Sequence, residues 1–206
     1  TDSTRIAAPA QEEARRYIAE KFGGEYLPAT PPQYQTKSAA QDAHEAIRPT
    51  AVYREPAQLK EYLNRDQLRL YTLVWERFLA SQMSAAVLDT VAVDISAGSY
   101  TFRANGSVVA FPGFLAIADY DEEEQGENRL PELAEGEKLV LKKLEPKQHF
   151  TQPPPRYTEA MLVKTLEEYG IGRPSTYAPI ISTIQQRGYA VKENKRFVPT
   201  ELGFIT

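Results

Sequence analysis

The sequence predicts a mixed α and β fold in several parts, helical at first, β-rich in the middle, and helix–turn–helix–hairpin at the end. Three observations carry this. Apolar residues recur at steps of three and four from Leu68 to Met83, the spacing of one helix face. Between Thr90 and Leu144 the period changes to alternation, as on a strand with one buried side. Past Gln152-Pro153-Pro154-Pro155 the helical period returns. The expected parts are residues 1–84, 85–150 and 151–206.

In the first part, Thr4–Gly23 reads as a loop and then a helix. Pro9 lies near its start, Glu12 and Glu13 in its first turn, and Gly23 or Gly24 at its end. Tyr26–Ser38 holds Pro28, Pro31 and Pro32 and excludes regular structure. Asp42–Ile47 predicts a short helical turn stopped by Arg48-Pro49, because a residue before proline avoids the helical region. A longer helix over about Asp66–Met83 places Leu68, Tyr71, Trp75, Phe78, Leu79 and Met83 on one stripe.

In the middle part Thr90–Ile95 alternates. Tyr100–Ala104 and Ser107–Phe111 are short β-rich runs around Asn105-Gly106, a dipeptide suited to a hairpin turn. Glu137–Leu144 alternates again, and the acidic Asp119–Asn128 reads as an exposed, solvated loop.

In the last part Thr158 suits an N-cap, with Glu159 in the first turn and Leu162, Val163, Leu166 and Tyr169 as the stripe. Gly170 then Ile171 fits a left-handed cap with its apolar contact. A second helix follows Arg173-Pro174-Ser175-Thr176, buries Ile180, Ile181 and Ile184, and ends at Gly188. Tyr189–Lys192 and Arg196–Val198 are short strands around Glu193-Asn194-Lys195. That order is the order of a winged helix-turn-helix.

The 206 residues, 42% of them hydrophobic, suffice for one large or a few small domains. No apolar run approaches the roughly 20 residues that span a bilayer, and no signal peptide is visible. The absence of cysteine excludes disulfides, thiolate zinc sites and cysteine nucleophiles, and suits a reducing cytoplasm. The chain opens on Thr1-Asp2-Ser3-Thr4 without methionine and stops in mid-pattern at Phe204-Ile205-Thr206, as expected of a piece of a longer protein. A net charge of -4 argues against a general polyanion binder. Its distribution is uneven: residues 117–137 hold nine acids against Arg129, whereas residues 147–206 hold eight bases against five acids. Nucleic-acid contact therefore belongs to particular faces.

Two constellations could carry chemistry. In Gly170-Ile171-Gly172-Arg173-Pro174-Ser175-Thr176-Tyr177, two glycines permit a tight turn into a helix start, where unpaired N–H groups favour an anion. Arg173 adds a charged fork, and Ser175 and Thr176 add hydroxyls. Arg187 closes the same helix. Together they suit a phosphodiester. The plain alternative is an N-cap serine or threonine, with Arg187 complementing the helix dipole. In His44-Glu45-Ala46-Ile47-Arg48-Pro49-Thr50, His44 and Arg48 would share a face of a helical turn. They could hold one phosphate there, with the imidazole polarising a leaving oxygen. The alternative is a histidine satisfied by Glu45 or Asp42. No zinc, magnesium or hydrolase-triad site is defensible, since His44 and His149 are far apart and no serine sits in an elbow setting.

These segments, with Gln148-His149-Phe150-Thr151, Gln186-Arg187-Gly188-Tyr189 and Pro199-Thr200-Glu201-Leu202-Gly203, occur in the order and approximate spacing of type IA DNA topoisomerases. The resemblance covers essentially the whole chain, and the Glu-Ala-Ile-Arg-Pro form is closest to bacterial topoisomerase I or the topoisomerase half of reverse gyrase. It implies a parent enzyme that relaxes underwound DNA without ATP, through a transient single-strand break held as a 5′-phosphotyrosine. The nucleophilic tyrosine would stand three residues before Thr1, and magnesium would be held by acids of a further domain. The chain alone would then bind no cofactor and be inactive. The same resemblance implies that residues 85–150 belong to a β-rich arch, and that His44, with Arg48, steadies the scissile phosphate. It also implies that Arg173, Ser175, Thr176 and Arg187, with Asp2 and Ser3, contact DNA. The partner would be mainly single-stranded DNA, the parent monomeric, cytoplasmic and associated with the nucleoid. A rival reading, a non-catalytic winged-helix DNA-binding protein, accounts for residues 156–199 but not for the His44 segment or the opening Thr-Asp-Ser-Thr.

Overall fold

The computed structural model describes residues 3–35, 44–117 and 129–206. They form two compact units, Ser3–Lys138 and Leu139–Thr206, and together they are mixed α and β.

The first unit is built on two helices, α1 (Ala8–Lys21) and α2 (Arg65–Ala80). Pro9 starts α1 at a position whose missing N–H costs nothing. No acid lies in its first turn; the helix begins at Ala8, so Glu12 and Glu13 fall in the second turn, one later than expected. Ala14, Tyr17 and Ile18 make its buried face, and Gly23 ends it at φ 109°. The start of α2 is a capping box: Asn64 Oδ1 accepts from the Asp66 and Gln67 N–H groups, while Gln67 Oε1 accepts from the Asn64 N–H.

The expected stripe of α2 supplies Trp75, Phe78 and Leu79, which pack with Met83, Val52 and the α1 face as one core. Leu79 is fully buried, so its truncation to alanine should cost about 2–5 kcal/mol. Trp75 stands edge-on to Tyr17, ring centroids 5.8 Å apart, and its Nε1–H donates to the Val52 carbonyl at 2.8 Å. A polar latch joins the helices: Gln11 Nε2 donates to Oε1 of the fully buried Gln82 at 2.9 Å, and Gln82 Nε2 to Ser81 Oγ at 3.0 Å.

Two long antiparallel strands, β1 (Val87–Ala97) and β2 (Tyr100–Phe111), follow. The turn between them is Gly98-Ser99, with Gly98 at φ 62°, where a Cβ would be strained. The expected turn at Asn105-Gly106 is a misreading. Those residues lie inside β2 opposite Ala92 and Val91, because register over eleven pairs outweighs a local dipeptide preference. The foot of the hairpin is fixed where Phe111 meets the Tyr26 ring, centroids 4.9 Å apart. The acidic segment Asp119–Asn128 lies outside the described residues.

The second unit opens with an exposed stretch. Residues 139–157 form no strand, and Val140 and Leu141 are 84% and 78% exposed. The strand expected over Glu137–Leu144 is therefore absent, since alternation becomes a strand only where a ladder partner supplies hydrogen bonds. Next come α3 (Glu159–Glu168), α4 (Tyr177–Gln186), the hairpin β3 (Ala190–Glu193) and β4 (Arg196–Pro199), and the short α5 (Glu201–Ile205).

Thr158 caps α3 by accepting from the Met161 N–H. Its end is a Schellman motif: the Ile171 N–H reaches the Leu166 carbonyl, and the Gly170 N–H, with Gly170 at φ 69°, the Glu167 carbonyl. Tyr169, expected on the stripe, sits at this cap and is 76% exposed. The same motif ends α4, through Tyr189 to Ile184 and Gly188 to Gln185. The Phe197 N–H donates to the Tyr157 carbonyl at 2.8 Å, which lays the segment before α3 along β4. Finally, α5 lies so close to the start of β3 that a Cβ on Gly203 would come 2.0 Å from the Tyr189 oxygen.

Candidate nucleic-acid interface

In the first unit the opening residues and the histidine segment are held edge to edge. The Ala46 N–H donates to the Arg5 carbonyl at 2.7 Å, and the Arg5 guanidinium reaches the His44 carbonyl at 3.4 Å. Ser3 is buried, and its hydroxyl accepts the Arg5 N–H at 3.1 Å; Asp2 lies outside the described residues. Beside this seam opens a cleft of about 290 Å³, with Thr4, Arg5, Gln11, Gln33 and Tyr34 in its walls. Tyr34 is fixed there at both ends. Its carbonyl accepts from Thr4 Oγ1 at 3.1 Å and its hydroxyl donates to the Ser81 carbonyl at 2.6 Å.

Residues 44–49 are not helical, so the helical face that His44 and Arg48 were expected to share does not exist. Pro49 disfavours the helical region at Arg48, and the Ala46 N–H bonds the Arg5 carbonyl instead of a partner within a turn. His44 is exposed, whereas Arg48 is tied down. Its Nε donates to Glu45 Oε1 at 2.6 Å, its Nη2 to Glu45 Oε2 at 3.4 Å, and its Nη1 to the Pro49 carbonyl at 3.1 Å. The same Glu45 Oε1 accepts the Ala7 N–H at 2.9 Å, at the start of α1, where a negative charge is favoured. The Arg48 hydrogen bond, followed by the one from Ala7, holds the Glu45 carboxyl below the usual carboxylate range.

Sequence reasoning considered Glu45 only as a partner for His44 and passed over Arg5. The spacing of three between Glu45 and Arg48 was the one available signal; nothing local pointed to Arg5.

In the second unit the Gly170–Thr176 turn leads into α4 as expected. Gly172, at φ 78°, is packed so tightly that a Cβ would lie 3.0 Å from both Ile180 Cδ1 and Thr176 Oγ1. Thr176 stands at the N-cap, but its hydroxyl turns back, accepting the Arg173 N–H at 2.8 Å and donating to the Arg173 carbonyl at 3.0 Å. The N–H groups of the first turn of α4 thus have no side-chain cap. Arg173 is exposed, and its guanidinium reaches only the neighbouring Gly172 carbonyl, at 2.9 Å. Ser175 is exposed beside it, and Arg187, also exposed, is the C-cap of α4. Neither arginine faces a carboxylate among the described residues. In that turn the Tyr177 N–H donates to the Arg173 carbonyl at 3.2 Å and Pro179 has no N–H, so this end of the helix presents the Ala178 N–H beside an uncompensated cation, a combination that attracts a phosphate.

The family model for DNA topoisomerases matches residues 1–205. The chain belongs to the bacterial type I DNA topoisomerase family. A solved structure of full-length topoisomerase I from Thermotoga maritima is similar over 98% of the chain, with 37% identity and a TM-score of 0.76. The chain spans 32% of the length of that topoisomerase.

Membership of a topoisomerase family implies magnesium, and the residues at hand do not fit a magnesium site. Among the described residues, no three or more of His, Asp and Glu gather in a group that could hold a metal. No helix among the described residues is long and apolar enough to cross a membrane.

Proposed function

We propose that this chain is the part of a type IA topoisomerase that grips a single DNA strand and steadies the phosphate to be cut, within a parent that relaxes negatively supercoiled DNA without ATP. The single observation that carries the reading is the start of α4, where exposed Arg173 faces no carboxylate among the described residues and the helix has no side-chain cap. Family membership over residues 1–205 supports it, since a plain winged-helix protein would need only the second unit.

The reading assigns distinct tasks. Arg173 and Ser175 bind one phosphate at the helix start, Thr176 locks the turn that presents Arg173, and Arg187 meets the strand at the other end of α4. In the first unit exposed His44 offers its imidazole to a phosphate oxygen. Arg48, through Glu45, holds the segment in place without touching DNA. The nucleophile and the metal-binding acids belong to other parts of the parent, whose site of action is the cytoplasm. The parent acts as a monomer.

Single-strand binding by the chain, titrated with salt, tests this. Each lost phosphate contact should lower the slope of log affinity against log salt by about 0.7. Arg173→Ala and Arg187→Ala should each show that loss. Unchanged affinity and slope in both variants would remove α4 from the interface.

A further inference from the structure

We propose that the tip of the β3–β4 hairpin is a second phosphate-backbone contact, separate from the start of α4, with Lys195 as its leading residue. The proposal rests on the reading that the second unit binds DNA.

The first observation is conformational. Asn194 and Lys195 form the two-residue loop of the hairpin, with φ of 47° and 63°. Two positive angles define the type I′ turn, whose second position favours glycine because a Cβ is strained there. Asparagine tolerates the first position; lysine gains nothing from the second. A residue held in a strained conformation at an exposed tip marks a place where its side chain is needed.

The second observation is electrostatic. Several bases of this unit outside α4 are neutralised: Lys143 by Glu145, Lys164 by Glu168 at 3.9 Å, and Lys192 by Glu159 at 2.7 Å. At the tip the pattern reverses. Arg196 Nη1 donates to the Arg156 backbone carbonyl at 2.9 Å, a contact that leaves the Arg196 charge uncompensated. Lys195 and Arg156 take part in no ion pair among the described residues, and both are exposed. Lys195 and Arg196 thus stand together at the tip of the small sheet, and Glu193, the ladder partner of Arg196, forms no salt bridge with it among the described residues.

A β-hairpin of this length carries its tip about 13 Å beyond the base, so the cluster stands well clear of Arg187. An exposed group of cations on a projecting hairpin fits a polyphosphate backbone, which needs charge and reach but no shaped pocket. Such a backbone comes from a single strand or a duplex.

The test is Lys195→Gly, which removes the charge and also relieves the turn. Anisotropy titrations of the 206-residue chain would use a labelled oligothymidine strand and a duplex of equal length, with Arg173→Ala as reference and Lys195→Arg as the conservative variant. Lys195→Gly should melt at the same or a higher temperature yet bind about three- to fivefold more weakly near physiological salt. Its salt slope should fall by about 0.7 if the contact is to the strand, or about 0.9 if it is to the duplex. Lys195→Arg should retain both affinity and slope. If Lys195→Gly binds both probes unchanged while Arg173→Ala weakens, the tip is no contact and the reading of α4 stands. If the unaltered chain binds neither probe, both are overturned.

Discussion

Glu45 and Arg48 form a bidentate pair, Nε to Oε1 at 2.6 Å and Nη2 to Oε2 at 3.4 Å, and through the Ala7 N–H the same carboxylate is fastened to the start of α1. The pair makes Arg48 a scaffold residue and leaves exposed His44, one residue before Glu45, as the group that can face a substrate.

This pair predicts a pH dependence of stability. The Glu45 carboxyl is held below its usual range by Arg48 first and the Ala7 N–H second. Its contribution is therefore complete above the unfolded carboxyl value, about 4.3, and lost as pH falls through the lower folded value. Glu45→Gln should cost on the order of 1 kcal/mol at neutral pH, a modest figure because both side chains are partly exposed. The gap between variant and parent should close as pH drops below about 4. Urea titrations across that range would read it; a gap that stays constant into acid would show that the carboxylate charge contributes nothing.

Gly203→Ala probes the second unit. Its Cβ would stand 2.0 Å from the Tyr189 oxygen, and that oxygen is pinned by the Thr200 N–H at 3.0 Å. Neither side can move without shifting α5 or β3, so we expect a loss of about 1–3 kcal/mol. Thermal melting equal to that of the unaltered chain would contradict this close approach.

With negatively supercoiled plasmid and magnesium, the isolated chain should leave the topoisomer ladder unchanged, because the proposed nucleophile and metal-binding acids lie outside it. Any shift produced by pure protein would place a nucleophile within these residues.

Much of this architecture was legible where local chemistry and tertiary packing agree. From the expected stripe, Tyr71, Trp75, Phe78 and Leu79 became the core-facing side of α2, with Met83 packed just beyond its end, and Thr158 by its hydroxyl and Gly170 and Gly188 by their backbone freedom capped or ended helices as expected. Misreadings arose where a distant partner decides. Asn105-Gly106 is a strong turn signal in isolation, yet the long ladder with β1 puts it in mid-strand. Glu137–Leu144 has the strand period but no ladder partner among the described residues.

At the candidate site, residue types were legible and geometry was not. A spacing of four suggested that His44 and Arg48 cooperate on a helix, but the segment is not helical, and its Ala46 N–H bonds the carbonyl of Arg5, about forty residues away along the chain. No local pattern reports such a contact. The turn before α4 was legible because glycine, arginine and threonine act there on their immediate neighbours.

The most direct test separates His44 from Arg48 in the full-length parent, where there is a reaction to slow. Strand-cleavage rate and melting temperature would be measured side by side for His44→Gln and Arg48→Gln. Loss of His44 should slow cleavage on the order of 10²-fold, as for a positioned acid–base or electrostatic group, with melting almost unchanged. Arg48→Gln should lower the melting temperature, because it strands Glu45 at the start of α1. A stable His44→Gln enzyme that cleaves at the unaltered rate would contradict the account and return His44 to a purely structural role.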